Sequence, residues 1–263
     1  MGTIHHITFA TGNSRVTGLP YSDTQKLLVE SIESQTNRKV VHHTYDLESL
    51  KAQTWFYKVE DYPTKYPDPW GRDGLYCAYK LFIANDLMHN IEEGDYIYYT
   101  DSSAYFVEPF TENIDRLFDY IDYSGYVCGS AGNDVKHNSF GCCDNLKVWK
   151  EIYPEVSDDI LNKPHILASW YALKKNSKTA KFLKEWAKYF THIMDDKPLC
   201  TYHHTVDQSI FNILAYKYNM KVFYNDKGHD HNKNHNNVHR QLNMEPDNTI
   251  KNLDKWFKNT NEL

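Results

Sequence analysis

The stretch Asp95-Tyr96-Ile97-Tyr98-Tyr99-Thr100-Asp101-Ser102-Ser103 decides how the rest of the chain is read. Four β-prone residues, Tyr96 to Tyr99, run without a charge, and Thr100 then leads to Asp101. A short apolar run bounded by turn residues is a strand buried on both faces, as in a largely parallel sheet. Ligands of such sheets sit beyond the carboxyl ends of the strands, where loops bring polar groups into a crevice. Asp101 therefore leaves the sheet at the point where a cation or a phosphate would be met. The competing reading is an acid that does no more than open a turn.

The flanking sequence alternates strands and helices. Ile4 to Ala10 reads as a first strand ending in the polar turn Thr11-Gly12-Asn13-Ser14-Arg15. Ser22 with Gln25 three residues on has the capping-box pattern, and Leu27, Leu28, Ser31 and Ile32 share a helix face. Lys39 to Tyr45 is a second strand closed by Asp46. A loop rich in acids, prolines and glycines spans 60–74, a length that in compact domains accompanies function or mobility. A helical stripe of Tyr76, Tyr79, Ile83, Leu87 and Ile91 then leads into the central strand.

Beyond that strand, Ile114, Leu117, Phe118 and Ile121 mark a helix capped at Thr111. Gly125 to Gly129 is a strand, and 130–146 is a Gly/Asn-rich loop containing Cys142 and Cys143. His165 to Ala172 is another strand, and Phe182, Leu183, Trp186 and Phe190 line the next helix. A last helix turns Ile210, Phe211, Leu214 and Tyr218 inward before a strand at Lys221 to Tyr224. No internal repeat or linker interrupts the series, and alternating β and α elements give an α/β class with a mainly parallel sheet.

Composition narrows the function classes. At 263 residues, one large domain is favoured over two. Hydrophobic residues at 41% and aromatics at 15% suffice for a sizeable core, and 21 tyrosines suit amphipathic pockets. A net charge of −6 argues against nucleic acid as a partner. No run approaches the roughly 18 apolar residues of a membrane span, and Met-Gly-Thr-Ile-His-His has no basic region followed by an apolar one, so no signal peptide is expected. Five cysteines, with Cys142 and Cys143 adjacent, make no disulfide framework and suit a reduced, cytoplasmic setting.

No Gly-rich phosphate loop and no Gly-x-Ser-x-Gly elbow is present. What remains is an acid at a strand end (Asp101), a base in the preceding helix (Lys80), an acid opening a late helix (Asp207) and a histidine-rich tail. That set suits transfer of a group away from a phosphate leaving group. A cation held by carboxylates neutralises the leaving diphosphate, and a second carboxylate takes the proton of an attacking hydroxyl.

The runs Gly74-Leu-Tyr-Cys-Ala-Tyr-Lys80-Leu-Phe-Ile83, Glu93-Gly-Asp-Tyr-Ile-Tyr-Tyr-Thr-Asp-Ser-Ser103 and His204-Thr-Val-Asp-Gln-Ser-Ile210 resemble segments of GT-A-fold glycosyltransferases. Members of that group occur in bacterial capsule loci and in large DNA viruses of the chlorella virus type. The resemblance implies a GT-A-like three-layer α/β/α sandwich over 1–263, with a nucleotide-binding part at about 1–105, an acceptor-side part at about 106–240 and a tail at 241–263. It implies a nucleotide-sugar donor, often UDP-linked, and a glycan or small hydroxyl acceptor. Mn²⁺ or Mg²⁺ would bridge Asp101 and the diphosphate. The chain departs from the pattern at Ser103, where a second acid is common, and a neutral hydroxyl is the weaker metal ligand.

Each candidate residue also has a plainer role open to it. Asp207 is the candidate base of an inverting transfer, with Asp134 or Asp144 in reserve. Its alternative is a helix-dipole acid beside a Thr205–Gln208 capping box. Lys80 would contact the diphosphate, or else face solvent at the fringe of its helix. Thr11, Asn13 and Arg15 after the first strand, and Asp46 after the second, would meet base and ribose, or be ordinary turn residues. Ser102, Ser103 and Gln208 complete the donor set. His229 or His231 would make up the metal ligands lacking at Ser103, although histidines among asparagines and lysines also fit a solvated segment. A catalytically silent glycan-binding protein and, further off, a nucleotidyltransferase are the other function classes.

Overall fold

A computed structural model of the chain describes residues 1–13, 18, 20–62, 77–102, 111–130, 145–163, 166–195, 206–223 and 257–259. The strands are β1 (Ile4–Phe9), β2 (Val40–Tyr45), β3 (Tyr96–Thr100), β4 (Tyr126–Ser130), β5 (Ile166–Lys174), β6 (Lys221–Phe223) and β7 (Phe257–Asn259). They form one sheet in the order β2-β1-β3-β5-β4-β6-β7. The helices are α1 (Tyr21–Glu33), α2 (Leu47–Lys51), α3 (Tyr79–Asn90), α4 (Thr111–Ser124), α5 (Asn145–Ile152), α6 (Ser177–Asp195) and α7 (Val206–Lys217).

β1 pairs in parallel with β2 and β3, and β4 with β6. β5 runs antiparallel to both its neighbours, β3 and β4, and β7 is antiparallel to β6. The sheet is thus mainly parallel, with one reversed strand in its middle and one at its edge. Parity splits its side chains between two cores. Ile7, Phe9, Ile97, Tyr99, Tyr171 and Leu173 pack with α3, α6 and α7 on one face. Ile4, Tyr96, Tyr98, Val127, Trp170 and Ala172 pack with α1 and α4 on the other.

The central strand is buried at every position, as its uncharged run implies. α4 and α6 bury the predicted stripes: Ile114, Leu117, Phe118 and Ile121 in one, Phe182, Leu183, Trp186 and Phe190 in the other. In α7, Ile210, Phe211 and Leu214 are buried.

Four details differ from the sequence expectation. Pro20, not Ser22, precedes α1, with no side-chain cap, because the fixed φ of proline already presets the chain for helix entry. Gln25 Nε2 donates instead to the carbonyls of Thr8 and Tyr45, so the helix docks on the ends of β1 and β2. Leu27 points to solvent and leaves Leu28 and Ile32 as the buried face. α3 buries Lys80 and Phe82 as well as Tyr79 and Ile83, because its first half lies against both the sheet and α6; its exposed polar residues, Asp86, His89 and Asn90, come in the second half. Lastly, the tail at 241–263 supplies β7, whose Phe257–Asn259 pair along β6.

β4 and β5 slip in register. One step from Cys128 to Gly129 moves the partner from Tyr171 to Leu167, which leaves Ala168, Ser169 and Trp170 without ladder partners on the β4 side. Irregularities of this kind turn backbone groups out of the ladder. Gly129 is needed there, because a Cβ at that position would lie 2.5 Å from Trp170 Nε1. No helix among the described residues is long and apolar enough to cross a membrane.

Candidate active site

The parallel strands β1, β2 and β3 end at one rim, which gathers Thr11 to Asn13, Asp46 and Asp101. Ala10 continues the β1–β2 pairing, its N–H donating to the Tyr45 carbonyl at 2.9 Å. Thr11 is half-buried and Asn13 exposed, in a bridge to Pro20. Asp46 is exposed and caps α2: its Oδ1 accepts from the Ser49 N–H at 2.8 Å, and the Ser49 hydroxyl accepts from the Asp46 N–H at 2.8 Å. The Ser49 N–H first, and then the Ser49 hydroxyl donating to Oδ1 at 2.7 Å, hold its carboxyl below the ordinary Asp range. Arg15, Ser103, Asp134, Asp144, His229 and His231 lie outside the described residues, as do Thr205 and the Cys142–Cys143 pair.

The rim is organised by a charge buried behind it. Lys80, in the first turn of α3, places its Nζ 3.2 Å from Asp101 Oδ1 and 3.6 Å from Asp207 Oδ2. The Lys80 side chain is 7% exposed, that of Asp207 3% and that of Asp101 33%. Lys80 is therefore no solvent-facing lysine. Burial alone would depress its ammonium, but Asp101, Cys77 and Asp207 outweigh that and hold it above the ordinary lysine range. Charge pairing has won over desolvation because two carboxylates share one cation.

Each member of the trio is fixed by neighbours that the sequence reading did not single out. Tyr99 donates its hydroxyl to Asp101 Oδ1 at 2.6 Å. Burial first, and Asp101 second, push that phenol well above its usual range, so it stays a donor. Tyr171 stacks on Tyr99 with ring centroids 5.2 Å apart and donates to the Lys80 carbonyl at 2.7 Å. Trp186 donates its indole N–H to the Asp207 carbonyl at 3.0 Å. Ser102 is buried beside Asp101.

The irregular segment of β5 completes the arrangement. Its Ala168 carbonyl accepts from Lys80 Nζ at 3.3 Å, and its Ala168 N–H donates to Gln208 Oε1 at 3.2 Å. Five residues after Asp207, Asn212 anchors α7 to the same strand: its Oδ1 accepts from the Ile166 N–H at 2.7 Å and its Nδ2 donates to the Ile166 carbonyl at 2.6 Å. The clue in the sequence was a polar residue set among the apolar ones of Ile210–Ala215.

The described donors do not by themselves fit a divalent cation. Asp101 Oδ1 is engaged by Tyr99 and Lys80, and Asp207 faces an ammonium. Among the described residues no three His, Cys, Asp or Glu side chains stand where they could hold a metal ion. The site instead offers a half-open carboxylate at the rim, a buried second carboxylate behind it, and a fixed cation between them.

No family model and no curated protein matches the chain. Among solved structures it is similar to the apo form of mouse xyloside xylosyltransferase 1, at 13% identity and a TM-score of 0.46 over 82% of each chain. That likeness is too distant to transfer a role to any residue.

Proposed function

We propose that the chain is a glycosyltransferase that moves a sugar from a nucleotide-diphosphate sugar to a hydroxyl of a glycan or small acceptor. The observation that carries this reading is the Lys80 bridge between Asp101 at the end of β3 and Asp207 at the start of α7. It joins the rim where a nucleotide would lie to a second carboxylate suited to an acceptor hydroxyl. Ligand binding beyond the carboxyl ends of parallel strands supports the same placement.

In this reading Thr11, Asn13 and Asp46 meet the nucleoside, and Asp101 with Ser102 meets the ribose and diphosphate side. Asp207 takes the acceptor proton as the nucleoside diphosphate departs, an inverting displacement. A carboxylate so deeply buried needs a counter-charge to remain ionised and able to accept a proton. Lys80 supplies it. The Asp207 side chain is 3% exposed, which keeps bulk water away from it.

The test is incubation with a panel of nucleotide sugars and acceptor glycans, with Mn²⁺, Mg²⁺ or chelator, reading nucleoside diphosphate release. Release that Asp207→Asn abolishes supports the reading, and folded protein inert with every donor counts against it. A second reading, a glycan-binding protein without turnover, is favoured by the Asp101-Ser102-Ser103 sequence, which lacks a second acid. Such a protein would bind glycan in a calorimeter without nucleotide.

A further inference from the structure

We infer that Lys80 is a positioning residue that sets the relation of Asp101 to Asp207, and not a contact to the donor diphosphate; this deepens, and rests on, the glycosyl-transfer reading. An ammonium carries three N–H donors and no more. Two acceptors lie within hydrogen-bond distance of Lys80 Nζ, Asp101 Oδ1 at 3.2 Å and the Ala168 carbonyl at 3.3 Å, and Asp207 Oδ2 pairs with it as an ion at 3.6 Å. The Tyr99 ring lies on a further side, its centroid 5.5 Å from Nζ. With its side chain 7% exposed and its charge already shared by two carboxylates, this ammonium is shielded from a phosphate arriving at the rim.

These partners come from three separate elements: the end of β3, the irregular segment of β5 and the first turn of α7. The lysine is held at its other end too, by the Tyr171 hydroxyl on the Lys80 carbonyl. Ala168 is itself tied to Gln208, and Asp207 to Trp186. Lys80 is thus the shared node of a closed set of contacts. Asp101 is its most open charged member and the one a ligand reaches first. Without Lys80 the buried Asp207 would lose both the counter-charge that keeps it ionised and its link to Asp101. The nucleotide would still find the rim, but the donor-side and acceptor-side groups would lose their alignment.

The experiment compares wild type with Lys80→Met, which keeps the length of the stem. UDP is the probe for binding, by calorimetry, and kcat and donor KM are measured with the donor found active. The expected result is a kcat lowered about 100-fold or more, as for loss of alignment. The UDP Kd is expected to stay within about threefold, because a merely alignment-setting group adds little to ground-state binding. A UDP Kd weakened about tenfold or more with kcat retained would make Lys80 a diphosphate ligand and overturn the inference.

Stability supplies a readout that needs no turnover. Lys80→Met, Asp207→Asn and the double variant form a cycle, and Asp207→Asn in the Lys80→Met background is expected to recover the unfolding equilibrium about tenfold. An additive cycle overturns the positioning role. Wild type that neither binds UDP nor releases nucleoside diphosphate overturns the glycosyl-transfer reading instead, and the cycle still decides whether Lys80 holds Asp207.

Discussion

His5 Nδ1 lies 3.0 Å from His43 Nε2 across β1 and β2, and the two rings stack at 5.3 Å. On the opposite face of the same ladder His6 Nδ1 lies 2.9 Å from His42 Nδ1. The remaining partners differ. His5 Nε2 is 3.3 Å from Asp95 Oδ2, His6 Nε2 is 2.7 Å from the Thr100 hydroxyl, and Glu33 stands 3.5 Å from His42. Two neutral imidazoles in such contact share one N–H between them.

Acid should therefore loosen the β1–β2 edge. Burial, and then His5 and His42, lower His43 from 6.5 to about 4, and burial lowers His42 against the pull of Glu33. A base lowered in the folded state means that the unfolded chain takes up its proton first. The stabilisation is complete above pH 6.5 and is lost as pH falls from there toward about 4. Each extra proton contributes a slope of at most about 1.4 kcal/mol per pH unit, and less for groups open to solvent. Urea midpoints between pH 7.5 and 4.5 read the slope, and His43→Gln should flatten it; equal slopes in the two proteins would refute the assignment.

The slip between β4 and β5 depends on a missing side chain. Gly129→Ala would set a Cβ 2.5 Å from the Trp170 indole nitrogen, in a ring that is fully buried. Overpacking at such a place costs about 1–3 kcal/mol. Chemical denaturation measures it, with loss of near-ultraviolet tryptophan signal as a second sign.

Asn212 makes the firmest cross-link between α7 and β5. Asn212→Leu keeps the branching of the side chain but strands the Ile166 N–H and carbonyl in a buried setting. A loss of about 1–3 kcal/mol is expected. Amide exchange at Ile166 should accelerate beyond what global unfolding explains.

Trp186 stands behind Asp207. Trp186→Phe removes the N–H that meets the Asp207 carbonyl at 3.0 Å and leaves space in the core. Stability should drop by about 1–3 kcal/mol. If nucleoside diphosphate release is the activity, kcat should fall further than donor KM changes, because the start of α7 shifts while the rim does not.

The parts of this arrangement legible in the sequence are those that obey local rules. The uncharged run Tyr96–Tyr99 and the stripes at Ile114–Ile121 and Phe182–Phe190 announce their burial by period alone, and the structure buries them. Lys80, Asp101 and Asp207 were singled out, but the distances between them were not readable. They depend on the reversed direction of β5, and a nine-residue apolar strand reads alike in either sense. The contacts of Ala168 were hidden for a related reason: a register slip has no composition of its own. Ser22 misled because a serine before a helix and one inside its first turn look the same until the proline ahead of it is given its weight.

The reversed strand also has a bearing on how the chain is made. β5 enters between β3 and β4, both of which leave the ribosome well before Ile166 to Lys174. Until then one side of β3 has no ladder, and its tyrosine-rich edge is open to strand addition from another nascent copy. Fragments that stop before Ile166 should consequently gather into aggregates, and an isolated amino-terminal half should be recovered from inclusion bodies and not from the supernatant.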